Sequence, residues 1–221
     1  MKFTCETNPA AAMLLAAALV CPATKAETAE KAAQPKGAVA RSATGSGQIA
    51  PVFVISTDES KIRFSVKASV AIDGTFDKWD ATLTFTSPDA STGVLSIKIV
   101  AASVDTGSGM KDGKLKSKDF FDVQQDPLIT FVSNKIVQSG PDNFEVQGDF
   151  TIRGVTRKET LLLTGTGKGT GEGQINGTMA FDRKEYGMNS GIPFIKIADR
   201  VEVTVALKVK RVSGPPLVFQ Q

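Results

Sequence analysis

The side chains available for chemistry in this chain are carboxylates, lysines, arginines and one tyrosine, because the sequence contains no histidine. Histidine is the commonest general base and neutral metal ligand, so its absence excludes Ser-His-Asp and Cys-His catalysis and the usual zinc sites. The two cysteines, Cys5 and Cys21, both fall in an N-terminal segment that we expect to be removed. The sequence therefore predicts no catalytic residue, no metal site, no redox motif and no cofactor.

A glycine-rich run over residues 164–177 has the composition of a phosphate-binding loop but lacks its spacing. Such a loop needs Gly-Lys followed by Ser or Thr at the start of a helix, whereas Gly167-Lys168 is followed by Gly169. Strand-like patterns flank the run on both sides. The run therefore indicates a hairpin turn.

The more informative residues are large apolar ones, since the chain contains 13 Phe, one Trp and one Tyr. Six of the Phe residues fall on or beside predicted strand faces, where Phe, Met and Ile would suit an apolar chain as ligand. Burying methylene groups yields about 0.8 kcal/mol each, so such a ligand needs no catalytic group to bind. Filling of an ordinary core is the alternative interpretation of the same residues. The candidate ligand-binding residues are Phe64, Phe76, Trp79, Phe85, Ile97, Ile99, Phe120, Phe121, Phe131, Phe150, Met179, Phe181, Arg183, Tyr186 and Met188. Of these, Arg183, Tyr186 or the Phe120-Phe121 pair is expected near an opening.

The elements that must position these residues are strands, because apolar and polar residues alternate with a period of two. The clearest case runs from Val201 to Val209, where apolar residues alternate with Glu202, Thr204 and Lys208. Eight such segments are predicted, within residues 62–68, 83–85, 95–99, 129–131, 144–152, 161–163, 175–181 and 201–209. Turn residues separate them at Asp73-Gly74, Ser139-Gly140-Pro141 and Arg153-Gly154.

Residues 107–123 break the alternation and predict one or two short helical turns in a long connection. An antiparallel all-β chain with helix confined to one connection can form a sandwich or a closed barrel. The pattern does not decide between these two architectures.

Composition divides the 221 residues into four segments. An apolar run over residues 10–20 predicts a signal peptide, residues 1–26, with cleavage after Ala26; lipidation at Cys21 is the alternative. Residues 27–50 contain no aromatic residue and predict a flexible linker. The barrel domain is predicted over residues 51–212, followed by a C-terminal tail over residues 213–221.

Charge and hydropathy exclude two classes of partner. The 26 basic and 23 acidic residues give a net charge of +3 with both signs mixed, which predicts no nucleic-acid partner. After the predicted leader no apolar run is long enough to cross a bilayer, so no stable membrane insertion is expected.

Seven short segments carry a family resemblance in their order along the chain. They are residues 60–66 (SKIRFSV), 74–76 (GTF), 102–106 (ASVDT), 118–123 (KDFFDV), 126–131 (DPLITF), 148–156 (GDFTIRGVT) and 182–188 (DRKEYGM). As an ordered set they resemble the YceI family of exported, lipocalin-like proteins. The resemblance implies an eight-stranded antiparallel lipocalin-like barrel whose elongated apolar interior holds a polyisoprenoid. The sequence departs from that pattern at Asp182, where relatives often carry Asn, and an ion pair between Asp182 and Arg183 is expected.

On this resemblance we expect a periplasmic or secreted protein that carries or stores a long-chain isoprenoid lipid, such as a quinone or its precursor, without catalysis. Whether the barrel forms a homodimer stays open. Two alternatives also stay open. One is a ligand-free barrel that serves in stress or surface interaction. The other is an isoprenoid-modifying enzyme that uses Glu185 or Tyr186.

Overall fold

The computed structural model describes residues 49–69, 71–191 and 196–219. The predicted signal peptide and all but the last residues of the predicted linker lie outside these ranges. Within them, the secondary structure consists of ten strands, one α-helix and three short 3₁₀ turns. The strands are β1 (Val52–Ala68), β2 (Ile72–Phe76), β3 (Trp79–Thr84), β4 (Val94–Val100), β5 (Val104–Asp105), β6 (Leu128–Gln138), β7 (Asn143–Ile152), β8 (Val155–Thr166), β9 (Glu172–Asp182) and β10 (Ile197–Ser213). The α-helix, α1, is Gly109–Lys116, and the 3₁₀ turns are Ala90–Thr92, Ala101–Ser103 and Arg183–Tyr186.

All ten strands belong to one antiparallel sheet in the order β3-β4-β6-β7-β8-β9-β10-β1-β2-β5. The sheet curls, so that β1 also contacts β3. The predicted all-β antiparallel class with one helical connection is confirmed. The predicted number of eight strands is wrong, because β2 and β5 were not recognised.

Strand β2 was missed because its sequence contains a turn signal. Asp73-Gly74 is a common hairpin turn, but here both residues lie inside β2 and pair with Ser65 and Phe64 of β1. Gly74 is required there for space, since a Cβ atom on it would lie 2.5 Å from the ring of Phe64. The glycine therefore admits an aromatic ring and does not turn the chain.

The inner face of the curled sheet forms the core, as the period-two pattern predicted. On β10, Val201, Val205 and Val209 are buried, while Glu202 and Thr204 are exposed. The core is closed at one end by the connection between β5 and β6. There α1 contributes the buried Leu115, and the residues after it contribute Phe120 and Phe121.

Two predicted turns are confirmed in detail. Arg153 and Gly154 have φ angles of 54° and 69° and join β7 to β8 in a two-residue hairpin. The glycine-rich run forms the β8–β9 hairpin, in which Gly167, Gly169 and Gly171 have φ angles of 77°, 80° and 84°. Glycine adopts these left-handed conformations without the steric cost that a Cβ atom would add.

In the part of the chain that the structure describes, none of the helices is both long and apolar enough to cross a membrane.

Candidate functional site

Three cavities lie in a row along the inner face of the sheet. The helix cavity, of about 70 Å³, lies beneath α1; the central cavity is about 30 Å³; the hairpin cavity, of about 140 Å³, lies beneath the β8–β9 hairpin. Strand β10 passes all three, with Val201 at the helix cavity, Val205 at the central cavity and Val209 at the hairpin cavity. At about 3.4 Å per residue, this row covers about 27 Å of the strand.

The helix cavity is surrounded by aromatic and aliphatic side chains. Phe64, Phe76 and Phe121 form a chain of ring contacts, with centroids 5.5 and 6.0 Å apart. The predicted residues that line this cavity are Phe64, Phe76, Ile99, Phe120, Phe121, Phe150, Phe181, Arg183 and Met188. Arg183 is the one charged residue among its lining residues.

Arg183 is buried, and its guanidinium is occupied by the protein itself. Nε donates to the carbonyl of Ala198 at 3.1 Å, and Nη1 donates to the carbonyls of Met188 and Ser190. Nη2 donates to Asp199 Oδ1 at 3.2 Å. Every nitrogen of the group thus has an acceptor, and Arg183 anchors the chain after Tyr186 against β10.

The predicted ion pair between Asp182 and Arg183 is wrong. Asp182 Oδ1 accepts a hydrogen bond from Lys184 N at 2.8 Å and so caps the 3₁₀ turn Arg183–Tyr186. The acidic partner of Arg183 is Asp199, 16 residues further along the chain, which neighbouring positions in the sequence could not indicate. Hydrogen bonding from Lys184, together with the charges of Lys184 and Arg183, lowers the pKa of Asp199.

Tyr186 lies inside the core and not at an opening. Its ring packs edge-on against Phe150 and Phe181, with centroid distances of 5.5 and 5.2 Å. Its hydroxyl donates to Glu159 Oε1 at 2.8 Å. Burial, reinforced by this carboxylate, raises the pKa of Tyr186 well above its ordinary value, so the phenol is protonated.

The central cavity collects predicted residues from four strands. Ile97, Ile99, Phe131, Phe150 and Met179 line it. It shares Ile99 and Phe150 with the helix cavity, so these two spaces are adjacent.

The hairpin cavity contains only one predicted residue, Phe85. The large apolar residues that the sequence reasoning missed there are Phe53, Leu83, Ile136, Phe144, Leu163, Ile175, Val209, Leu217 and Phe219. Most of these alternate with polar neighbours in the same strands that supplied the predicted residues. That alternation was the signal that could have identified them.

The C-terminal strap, which we define as residues 214–219, lies over the hairpin cavity. Val218 N donates to the carbonyl of Pro88 at 2.8 Å, and Ala90 N donates back to the carbonyl of Val218 at 3.1 Å. The Phe219 ring lies 6.0 Å from that of Phe144, and Lys168 Nζ lies 4.3 Å above the Phe219 ring. The segment predicted as a tail thus supplies part of the cavity wall.

Three buried side chains divide the interior. Leu95, Val146 and Leu207 are exposed by only 1%, 0% and 0%, and they line none of the three cavities. On β10, Leu207 lies between Val205 of the central cavity and Val209 of the hairpin cavity. A ligand that occupies the whole row must therefore displace these side chains.

Trp79 is placed apart from the other predicted residues. It lines an open surface cleft of about 430 Å³ together with Asp58, Asp77 and Asp80, while packing partly against the core. Neither this cleft nor any other part of the described residues holds a group of three or more acidic side chains arranged to bind a metal.

Comparison with known proteins identifies the family to which this chain belongs. The family model of the YceI-like domain matches residues 53–209. A UPF0312 protein of Staphylococcus aureus (strain USA300) is 31% identical over 145 residues, which cover 62% of this chain and 82% of the relative. A UPF0312 protein of Pseudomonas savastanoi pv. phaseolicola is 29% identical over 133 residues, which cover 58% of this chain and 69% of the relative.

Two solved structures share the fold. Burkholderia cenocepacia BcnA is 27% identical and superimposes with a TM-score of 0.64, covering 70% of this chain and 99% of BcnA. A polyisoprenoid-binding domain from Saccharophagus degradans superimposes with a TM-score of 0.57 at 13% identity, covering 73% of this chain and 99% of that domain. At that identity the second likeness concerns the fold alone.

Proposed function

The chain belongs to the YceI-like domain family, and on that premise we propose that it binds a long isoprenoid lipid inside its curled sheet, without chemical change to the lipid. The observation that carries the proposal is the row of three cavities with predominantly apolar walls. The fold likeness to a polyisoprenoid-binding domain of Saccharophagus degradans supports the same ligand class. A periplasmic or secreted carrier or store is the role we propose, based on the leader-like residues 1–26.

The binding free energy of a long chain in this interior is the balance of one favourable and two unfavourable contributions. Each methylene group removed from water contributes about 0.8 kcal/mol, and ordering of the chain and the protein offsets part of that gain. Displacing Leu95, Val146 and Leu207 from their packed positions is a further cost, which a ligand that fills only one cavity would not meet. A ligand that joins the cavities must therefore bury many groups.

We propose that the protein is not a catalyst, because the polar side chains of the interior are already hydrogen-bonded to other groups of the protein. The nitrogens of Arg183 are bonded to three carbonyls and one carboxylate, and the phenol of Tyr186 is bonded to Glu159. Glu185 lies outside the row of cavities and is ion-paired with Arg157 at 3.6 Å.

The experiment enlarges a side chain that two adjacent cavities share. Val203 lines both the helix cavity and the central cavity, so Val203→Phe places a ring in the path of the ligand. We expect the amount of isoprenoid that co-purifies to fall by about tenfold, since the ring excludes roughly two methylene groups. The measurement is lipid extracted per mole of folded protein.

Val132→Phe is the matched control, because Val132 lies on the outer face of β6 with 43% of its surface exposed. It should retain lipid as the unmodified chain does. Overpacking destabilises a protein by about 1–3 kcal/mol, so circular dichroism must show that both variants are folded. Unchanged lipid retention in a folded Val203→Phe variant would contradict an interior site.

One observation favours a second candidate function, a filled barrel that acts through its surface. The central cavity, at about 30 Å³, has room for only a water molecule or two, and the dividing residues are tightly packed. A filled barrel would carry no lipid and would not bind added polyprenyl lipid.

A further inference from the structure

The two ends of the row of cavities differ in the availability of positive charge. At the helix end, the lining cation is Arg183, whose nitrogens all have protein acceptors. At the hairpin end, Lys168 and Arg211 line the cavity. The ends are therefore not equivalent for a ligand that carries a polar head group.

Arg211 is the cation at the hairpin end that lacks an acidic partner. Its Nη1 donates to the carbonyl of Gly214 at 2.5 Å, at the start of the C-terminal strap. Among the described residues, no carboxylate forms an ion pair with it, and its Nε and Nη2 have no hydrogen-bond partner. These two nitrogens form one edge of the planar guanidinium, the edge that binds two oxygens of a carboxylate or phosphate at once.

The other charges around this cavity are paired with one another. Lys168 Nζ lies 3.1 Å from Asp142 Oδ1, and Lys210 Nζ lies 2.8 Å from Glu172 Oε1. Glu172 also lines the cavity, but its charge is compensated by Lys210. The half-buried Arg211 is thus left as a net positive charge beside an apolar space.

We propose that Arg211 binds the anionic head group of the lipid, whose tail then runs past Val209 into the apolar interior. The ligand class is a prenyl phosphate or another amphiphile with an acidic head, in preference to a neutral quinone or alcohol. This inference rests on the proposed function, because it assigns one end of the same ligand. The hydrogen bond to the Gly214 carbonyl restrains the guanidinium at the cavity before the ligand binds.

The test compares ligands that differ only in the head group. The full chain, stripped of lipid, is titrated with a polyprenyl monophosphate and with the polyprenol of the same chain length. We expect the phosphate to bind at least about tenfold more tightly, and the preference to shrink as the ionic strength rises. Inorganic phosphate alone should bind far more weakly, because it lacks the tail.

The variants isolate the contribution of Arg211. Arg211→Gln should weaken binding of the prenyl phosphate by about tenfold and leave that of the alcohol within about twofold. Arg211→Lys keeps the positive charge but lacks the two-nitrogen edge. Its affinity for the prenyl phosphate should therefore lie between that of the unmodified chain and that of Arg211→Gln. Arg200→Gln is the matched control, since Arg200 lies exposed on the same strand and pairs with Glu202.

Equal affinity of the unmodified chain for the phosphate and the alcohol would overturn the head-group assignment while leaving the proposed function intact. Equal weakening of both ligands by Arg211→Gln would do the same. Inorganic phosphate that competes as strongly as the prenyl phosphate would make this a free-anion site and would also overturn it. If neither lipid binds, the proposed function fails and the inference fails with it.

Discussion

At the scale of single residues, Arg183 shows how a buried charge stabilises this fold. Its four hydrogen bonds satisfy the carbonyls of Ala198, Met188 and Ser190 and one oxygen of Asp199. Charge-assisted hydrogen bonds of this kind are roughly twice as strong as neutral ones. Removing the guanidinium would leave several acceptors near the core without a donor.

Arg183→Met is therefore expected to lower the free energy of unfolding by about 2–4 kcal/mol, because buried acceptors lose their partners. Urea denaturation followed by circular dichroism measures the change. The exposed Arg200→Met serves as its control and should shift stability by less than about 0.5 kcal/mol. Equal stability of the two variants would show that Arg183 has no anchoring role.

The same residues mark how far the site could be predicted from the sequence. Phe131 and Phe150 follow the strand alternation, and the structure places both at the central cavity. Arg183 or Tyr186 was expected near an opening, but both are buried, because the 3₁₀ turn Arg183–Tyr186 directs the chain back against β10. Such a short turn leaves no periodic signal, and the partner Asp199 is too distant in sequence to be inferred.

At the scale of elements, the C-terminal strap is held by few interactions. Its backbone makes one pair of hydrogen bonds with residues 88–90 and accepts one at Gly214 from Arg211, and the Phe219 ring contacts Phe144 and Lys168. Segments with so few contacts open at low free-energy cost. The strap is therefore a wall of the hairpin cavity that can move aside while the sheet stays folded.

Deletion of the residues after Gly214 should open the hairpin cavity without unfolding the sheet, since β10 ends at Ser213. We expect stronger fluorescence of a dye that binds apolar surface, and faster release of bound lipid. Phe219→Ala keeps the chain length and should show a smaller change in the same direction. Unaltered dye binding and lipid release in the folded deletion variant would mean that the strap does not cover the cavity in solution.

Most strands could be predicted from the sequence, because each buries one face. The residues of that face are apolar and alternate with polar residues of the exposed face. Strand β5, Val104–Asp105, has two residues and is too short to show a period. Strand β2 was missed because Asp73-Gly74 was interpreted as a turn, whereas Gly74 provides space for the ring of Phe64 inside the strand. In both cases the pairing partner, which only the folded chain supplies, defines the strand.

At the scale of the whole molecule, the described residues from 49 onward form one curled sheet with a row of apolar cavities that three side chains interrupt. Pattern alone left a sandwich and a barrel equally open, because both bury one face of every strand. The ordered family segments implied a lipocalin-like barrel, whereas the pairing order from β3 to β5 is that of a curled half-barrel whose end strands β3 and β5 do not pair with each other. The volume of the interior could not be predicted, since it depends on how Leu95, Val146 and Leu207 pack.

The most direct measurement of lipid binding is mass spectrometry of an organic-solvent extract from the chain purified after expression in a bacterial periplasm. We expect an isoprenoid at about one molecule per protein, with a mass that gives its chain length and head group. A folded protein that yields no lipid, and that also fails to bind added polyprenyl phosphate or polyprenol, would contradict the proposed carrier and favour the filled barrel.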